Sequence, residues 1–304
     1  MKRTPLPAEL EQRAFTVSEA KQLGVGQSRL YDDHLSRPTH GVRTTTEPST
    51  VSELAEATAT GLPDDVVFSG RTAAEIHRLR LPEHPTTDDD LDVMRETNRA
   101  RIRRRGCTHH KGLELRESTE VDGIRVTDLV DTWCDLAAEM SIEDLVVMGD
   151  SIANRLGSVD QLYESLARRR VRDADRLRRA ARWVRLGSAS HMESRVRLAI
   201  VWAGLPEPEL NVTLDDEIGG WIGEGDMVWR KKRVVVEYQG KDHFTPERGP
   251  ADIDRRDNAA ASGWTYIEIV AATHYKKAKR HKFLVTLADA LGCAVDVDAS
   301  WHQR

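Results

Sequence analysis

The chain has 304 residues, 39% hydrophobic and 31% charged, which is long enough for two domains that each bury a core. A formal net charge of -5 leaves no overall basic excess, so any nucleic acid must be met by local patches. Cys107, Cys134 and Cys293 are widely separated and lack C-x-x-C spacing, which argues against a disulfide framework or a zinc ribbon; with no long apolar run, the expected setting is the reducing cytoplasm, neither secreted nor membrane-spanning.

Residues 15–43 read as two short helices and an extended return, punctuated by Gly24 and Gly26, the outline of a helix-turn-helix followed by a strand. The second helix would be the one to read DNA. It carries Arg29, but Asp32 and Asp33 follow and oppose phosphate contact, so a small packing module is the preferred reading. From Val51 to Ser165 modest helices alternate with strand-like pieces, as one α+β unit in which Leu129, Val130, Trp133 and Leu136 fall at helical spacing. Arginines crowd Arg99–Gly112 beside Cys107, His109 and His110. That segment reads either as a phosphate-binding patch or, preferably, as a solvated basic edge strand; a metal trio there lacks a fourth ligand and suitable spacing.

Residues 167–186 form the densest cationic run, with Leu177, Ala181 and Val184 at helical spacing and Gly187-Ser188 ending the helix. It reads as a linking helix whose Arg178, Arg179 and Arg182 either lie on a DNA backbone or are simply solvated. Ser190 and Glu193 then stand in capping-box spacing ahead of an amphipathic helix carrying Val196, Ala199, Ile200 and Val201. Three strands are predicted next, in ELNVTLD, WIGEGDMVWR and KRVVVEYQG, with IGEG as a bend and RKKR as a hairpin turn.

Asp226 and Glu237 fall on the second and third of these strands. Glu237 ends the β-branched run Val234–Val236, where a charge is costly unless compensated; a divalent cation held by oxygen ligands would compensate it. Strand periodicity puts Glu237 and Gln239 on one face, with Lys241 if the strand survives Gly240. A helix over Pro250–Ser262 containing Arg255, a strand in WTYIEIVA and a closing helix complete the order α-β-β-β-α-β-α.

This order, with Glu193 on the first helix, Gly225-Asp226 on the second strand, Glu237-Tyr238-Gln239-Gly240 on the third and His243 just after, resembles the PD-(D/E)XK nuclease superfamily over Ser188–Gly292. More narrowly, it is similar to the branch related to very short patch repair endonucleases, which WTYIEIVAATHY also suits. Residues 15–156 resemble the AbiEi-type antitoxin module, a winged-helix unit. The resemblance implies an α+β protein: an AbiEi-like winged-helix and α+β module over residues 1–166, a basic linking helix over 167–187, and a restriction-endonuclease-like α/β domain with a mixed central sheet over 188–304.

What the resemblance implies for function is Mg2+-dependent hydrolysis of DNA phosphodiesters, with Mn2+ as a substitute ion. Asp226 and Glu237 become the metal ligands, and Glu193 joins them through water or a second ion. Gln239 stands where the superfamily often has lysine; a neutral amide positions a water but supplies no charge, which leaves His243 or Lys241 to provide the missing group, His243 being preferred. Arg178, Arg179, Arg182, Lys241 and Arg255 are the expected DNA contacts. A homodimer suits cleavage of both strands, although no residue marks an interface. The alternative is a DNA-binding regulator or antitoxin-like protein whose nuclease-like domain is inactive.

Overall fold

Thr16, Thr50, Asp128, Ser141 and Ser190 each precede a helix and accept a backbone N–H from its first turn, so local chemistry fixes where these helices begin. The computed structural model describes residues 5–169, 173–216, 220–240 and 260–298. It is mixed α+β and divides into two units, residues 1–140 with 164–174 and residues 141–163 with 175–304. Among the described residues no helix is long and apolar enough to cross a membrane.

In the first unit, β1 (Phe15–Thr16) pairs antiparallel with β2 (Val42–Arg43). Between them lie α1 (Val17–Gln22) and α2 (Gln27–Leu30). Leu6, Leu10, Phe15, Ala20, Leu30 and Leu35 close a small core under these pieces. The second helix is four residues long, so the groove-reading helix of the expected outline is a single turn. After α3 (Val51–Ala59) come β3 (Val67–Phe68), α4 (Gly70–Ile76), β4 (Leu91–Arg95), β5 (Cys107–Lys111), β6 (Ser118–Val121), β7 (Ile124–Thr127) and α5 (Leu129–Asp135). The strands form a mixed sheet in the order β5-β4-β3-β7-β6. Val51, Ala55, Phe68, Ala73, Leu91, Val93 and Val126 fill its core. β5 is an edge strand, but the arginines of Arg99–Gly112 precede it, in the loop leading into the sheet. Alternation along β5 sends His110 to the face opposite Cys107 and His109, so the three do not converge.

The second unit takes in α6 (Ile142–Leu156) and the start of α7 (Val159–Ala167), then α8 (Ala174–Ala181) and α9 (His191–Trp202). Residues 141–163, read from the sequence with the N-terminal module, thus pack with the C-terminal unit. Next come β8 (Glu209–Asp215), β9 (Trp221–Trp229), β10 (Val234–Tyr238), β11 (Thr265–Ile269), α10 (Ala271–Tyr275) and α11 (Lys277–Leu291). The sheet order is β11-β10-β9-β8, with β10 and β11 parallel and the other pairs antiparallel. Most of the helix expected over 250–262 lies outside the described residues.

One face of this sheet buries Met227, Trp229, Val234 and Val236 against Val196 and Ile200 of α9 and Phe283, Leu284 and Leu287 of α11. The other buries Leu214, Val228, Val235 and Trp264. The IGEG segment is not a bend but the middle of β9. Gly225 is needed there because a Cβ would stand 2.6 Å from the Val235 Cγ2 and 2.8 Å from the Val228 Cγ2. The RKKR turn is present as a 3-10 turn over Arg230–Lys232, with Arg233 in the left-handed region at φ 49°.

Helix α9 is buried nearly all round, which simple amphipathicity does not predict. Two of its arginines are neutralised by α6. Arg197, 0% exposed, reaches Asp150 at 3.0 Å and the Trp183 carbonyl at 2.8 Å; Arg195 reaches Glu143 at 3.2 Å and Asp144 at 2.5 Å. His274 of α10 joins this network through Glu143 at 3.1 Å. Burial opposes ionisation of Glu143, but His274 and Arg195 hold its carboxyl below the ordinary value.

Candidate functional site

Strands β9 and β10 pair through Trp229↔Val234, Val228↔Val235 and Met227↔Val236, and their ladder stops there. The next residues on the two strands are Asp226 and Glu237. In place of a further backbone bond, the Asp226 Oδ2 accepts the Tyr238 N–H at 2.7 Å. The two strands therefore fork at this carboxylate pair, with one carboxylate bridging the gap. Glu237 is 5% exposed because β10 is central in the sheet, flanked by β9 and β11; Asp226 is half-buried. Burial, with Tyr275 adding to it, raises the pKa of the Tyr238 phenol at the same strand end.

Beyond β10, the parallel register sets Glu237 opposite Glu268 on β11. Val235 and Tyr266 belong to one side of the sheet, and alternation puts Glu237 and Glu268 on that side with them. Gln239 continues the row: its Nε2 donates to the Glu268 Oε1 at 3.3 Å. The Gln239 amide is thus held by a carboxylate at the sheet end.

Glu193 occupies the first turn of α9, 6% exposed. Its Oε2 accepts the Ala189 N–H at 2.8 Å and the Asn211 Nδ2 at 2.8 Å, while its own N–H is capped by Ser190. This is a capping role extended by a bond to β8. Asn211 lies between the pairs Leu210↔Met227 and Val212↔Gly225, across from Asp226, and adopts φ 49°. Glu193 is tied by Asn211 to the strand beside Asp226. The structure does not gather it with Asp226 and Glu237 into one ligand set, for among the described residues no group of three or more His, Cys, Asp or Glu side chains is placed to hold an ion.

The expected basic contacts divide in two. Arg178 and Arg179 on α8 and Arg182 just after it are exposed, Arg178 pairing with Asp175 at 2.7 Å. Lys241, His243 and Arg255 lie outside the described residues. Asn211 and Glu268 are the site neighbours that sequence reasoning missed. A signal existed for Glu268, since Tyr266 and Glu268 alternate with Ile267 and Ile269; for Asn211 it was one polar residue inside ELNVTLD.

The chain matches no family model, no curated protein and no solved structure.

The donor set at the fork is two carboxylates, four hard oxygens in all, one of them already accepting a backbone N–H. That suits Mg2+, which binds through one or two carboxylates and keeps its remaining positions for water and substrate phosphate. Asp226 and Glu237 fit the ion by this test, and Glu193 adds support for the neighbouring strand.

Proposed function

We propose that the protein is a Mg2+-dependent DNA endonuclease that hydrolyses phosphodiester bonds at the fork between β9 and β10. The observation that carries this reading is the juxtaposition of Asp226 with the buried Glu237 where the ladder ends, on a sheet approached by α9 in the order helix, strand, strand, strand. Glu237, 5% exposed on the central strand, stands between Asp226 past the end of one ladder and Glu268 in register on the other.

Asp226 and Glu237 would hold the ion. A bound divalent ion supplies a polarised water nucleophile and offsets charge developing on the scissile phosphate. The Tyr238 N–H fixes one Asp226 oxygen, which orients the other for coordination. The bond from Asn211 to Glu193 anchors β8 beside Asp226. Gln239, held through Glu268, presents a neutral amide that orients water or phosphate and carries no proton away. DNA as the partner is supported by the exposed arginines of α8.

Gln239 also favours a second reading. Because its amide is engaged by Glu268 and supplies no positive charge, the same domain serves as an inactive scaffold in a DNA-binding regulator. Cleavage of plain, mismatched, single-stranded and branched DNA, with magnesium, manganese or chelator, separates the two. The nuclease reading expects metal-dependent cutting that Asp226→Ala abolishes while DNA affinity persists. Normal cutting by the variant overturns the site; no cutting by either protein, with DNA still bound, selects the regulator.

A further inference from the structure

The first unit carries a concavity of about 920 Å3 between the segment 37–43, which leads into β2, and the loop before β5. Its walls hold five arginines and one histidine and no aspartate or glutamate. Arg37, Arg103 and Arg105 are exposed residues, and the Arg37 Nη2 donates to the Tyr31 carbonyl at 2.9 Å. Among the described residues none of the five arginines has a carboxylate within 4.0 Å.

Arg43 is the informative member. It is 5% exposed, and its donors go to neutral carbonyls: Nε to Leu30 at 2.7 Å and Nη1 to Val42 at 2.8 Å. A buried guanidinium without a counter-ion is costly, and burial together with the Arg37 charge lowers its pKa. Arg104 is likewise fixed by neutral groups, the His40 carbonyl at 2.6 Å and the Gly61 carbonyl. The guanidinium carbons of Arg37 and Arg43 lie 5.4 and 5.2 Å from the centre of the Tyr31 ring. Stacking on an aromatic face orients a guanidinium while leaving its N–H edge for an anion.

Like charges have thus been brought together and held in place by neutral groups, an arrangement that an anionic ligand relieves. The volume of about 920 Å3 exceeds that of a single phosphate, and the cationic side chains of five arginines around it suit a ligand that carries more than one phosphate. Asp32 and Asp33, which counted against DNA contact by the second helix, do not line the concavity; Asp32 faces Arg29 at 3.6 Å.

We propose that this arginine cradle binds the sugar-phosphate backbone of duplex DNA, through its phosphates and without reading bases. The site stands apart from the nuclease reading, because it concerns the first unit and is measured with chelator present. The test is binding of the full chain to two unrelated fluorescent duplexes of about 30 base pairs in EDTA, across a salt series from about 50 to about 300 mM. Wild type is compared with Arg103→Ala/Arg105→Ala and with Arg103→Gln/Arg105→Gln, which removes the charge but keeps a polar hydrogen-bonding side chain. Both residues are exposed, and an unchanged melting temperature verifies the fold.

The expected result is at least a tenfold loss of affinity, equal for both duplexes, and a fall of about two in the slope of log K against log salt, since each neutralised phosphate contributes about 0.9. Unchanged affinity and slope in both variants overturn the proposal, as does failure of the wild type to bind at the lowest salt. A loss confined to one duplex overturns the backbone mode. Complete displacement of DNA by inorganic tripolyphosphate at matched phosphate concentration overturns the polynucleotide assignment in favour of a free polyphosphate.

Discussion

Replacing Glu237 by glutamine separates a metal-holding carboxylate from a merely structural one. Glu237 has Asp226 as its neighbour past the end of one ladder and Glu268 as its registered partner on the other side. Like charges directly opposed across strands are destabilising, so the neutral amide, which removes two such oppositions, should leave the metal-free protein within about 1 kcal/mol of the wild type. For a unit of this size that is a Tm difference of no more than about 2–4 °C. Magnesium should separate the two. At an ion concentration about a hundredfold above Kd, linkage gives the wild type about 2.7 kcal/mol, equivalent to roughly 5–10 °C, while the variant gains little. Tryptophan fluorescence is a suitable probe, because every tryptophan except Trp133 belongs to the second unit. The assay is thermal unfolding of both proteins in EDTA and in magnesium. A variant that is less stable in EDTA and still gains the full magnesium increment would refute the reasoning, for Glu237 would then be an ordinary structural residue.

Asp150→Ala should lower the stability of the second unit by about 3 kcal/mol in urea unfolding, because it leaves the fully buried Arg197 with only the longer Glu207 contact at 3.4 Å; Arg197→Met together with Asp150→Leu should cost much less. In the first unit, the hydrogen bond that the His110 Nε2 donates to the Asp92 Oδ1 at 2.7 Å, acting against burial, raises the pKa of His110. That contribution to stability is complete below the unfolded value of about 6.5 and is lost as pH rises through the higher folded value. Asp92→Asn should therefore lower the His110 midpoint in an NMR titration and flatten the loss of stability above neutrality; an unmoved midpoint would remove Asp92 as the cause.

Local chemistry made much of the second unit legible. The valine run, the RKKR turn and the Ser190–Glu193 cap each act over a few residues, and each produces the expected strand, turn or helix start. Long-range pairing was not legible. Glu143, Asp144 and Asp150 resemble solvent-facing acids of an ordinary helix until Arg195 and Arg197 meet them, with Asp150 and Arg197 separated by 47 positions. The arginine cradle was hidden for the same reason, since Arg104 and His40 are 64 positions apart. Gly225 was noticed, but its reason was mistaken: the missing Cβ serves close packing inside a strand and not a bend. At the carboxylate pair, strand alternation located Glu237, while the fork, with its side chain bridging to Tyr238, required the actual ladder.

The support that α6 gives to α9 changes where this chain can be cut. A fragment excised at Ser188 would carry every strand of the four-stranded sheet yet leave behind Glu143, Asp144 and Asp150, so Arg195 would lose both of its carboxylates and Arg197 its nearer one, keeping only Glu207 at 3.4 Å. The same holds for gene fusion: a donor segment that begins after α8 inherits the carboxylate fork without the counter-charges of the helix beneath it. The transplantable piece begins at Ser141 and includes the connection through α7 and α8, so the junction between modules is a stretch of chain and not a point.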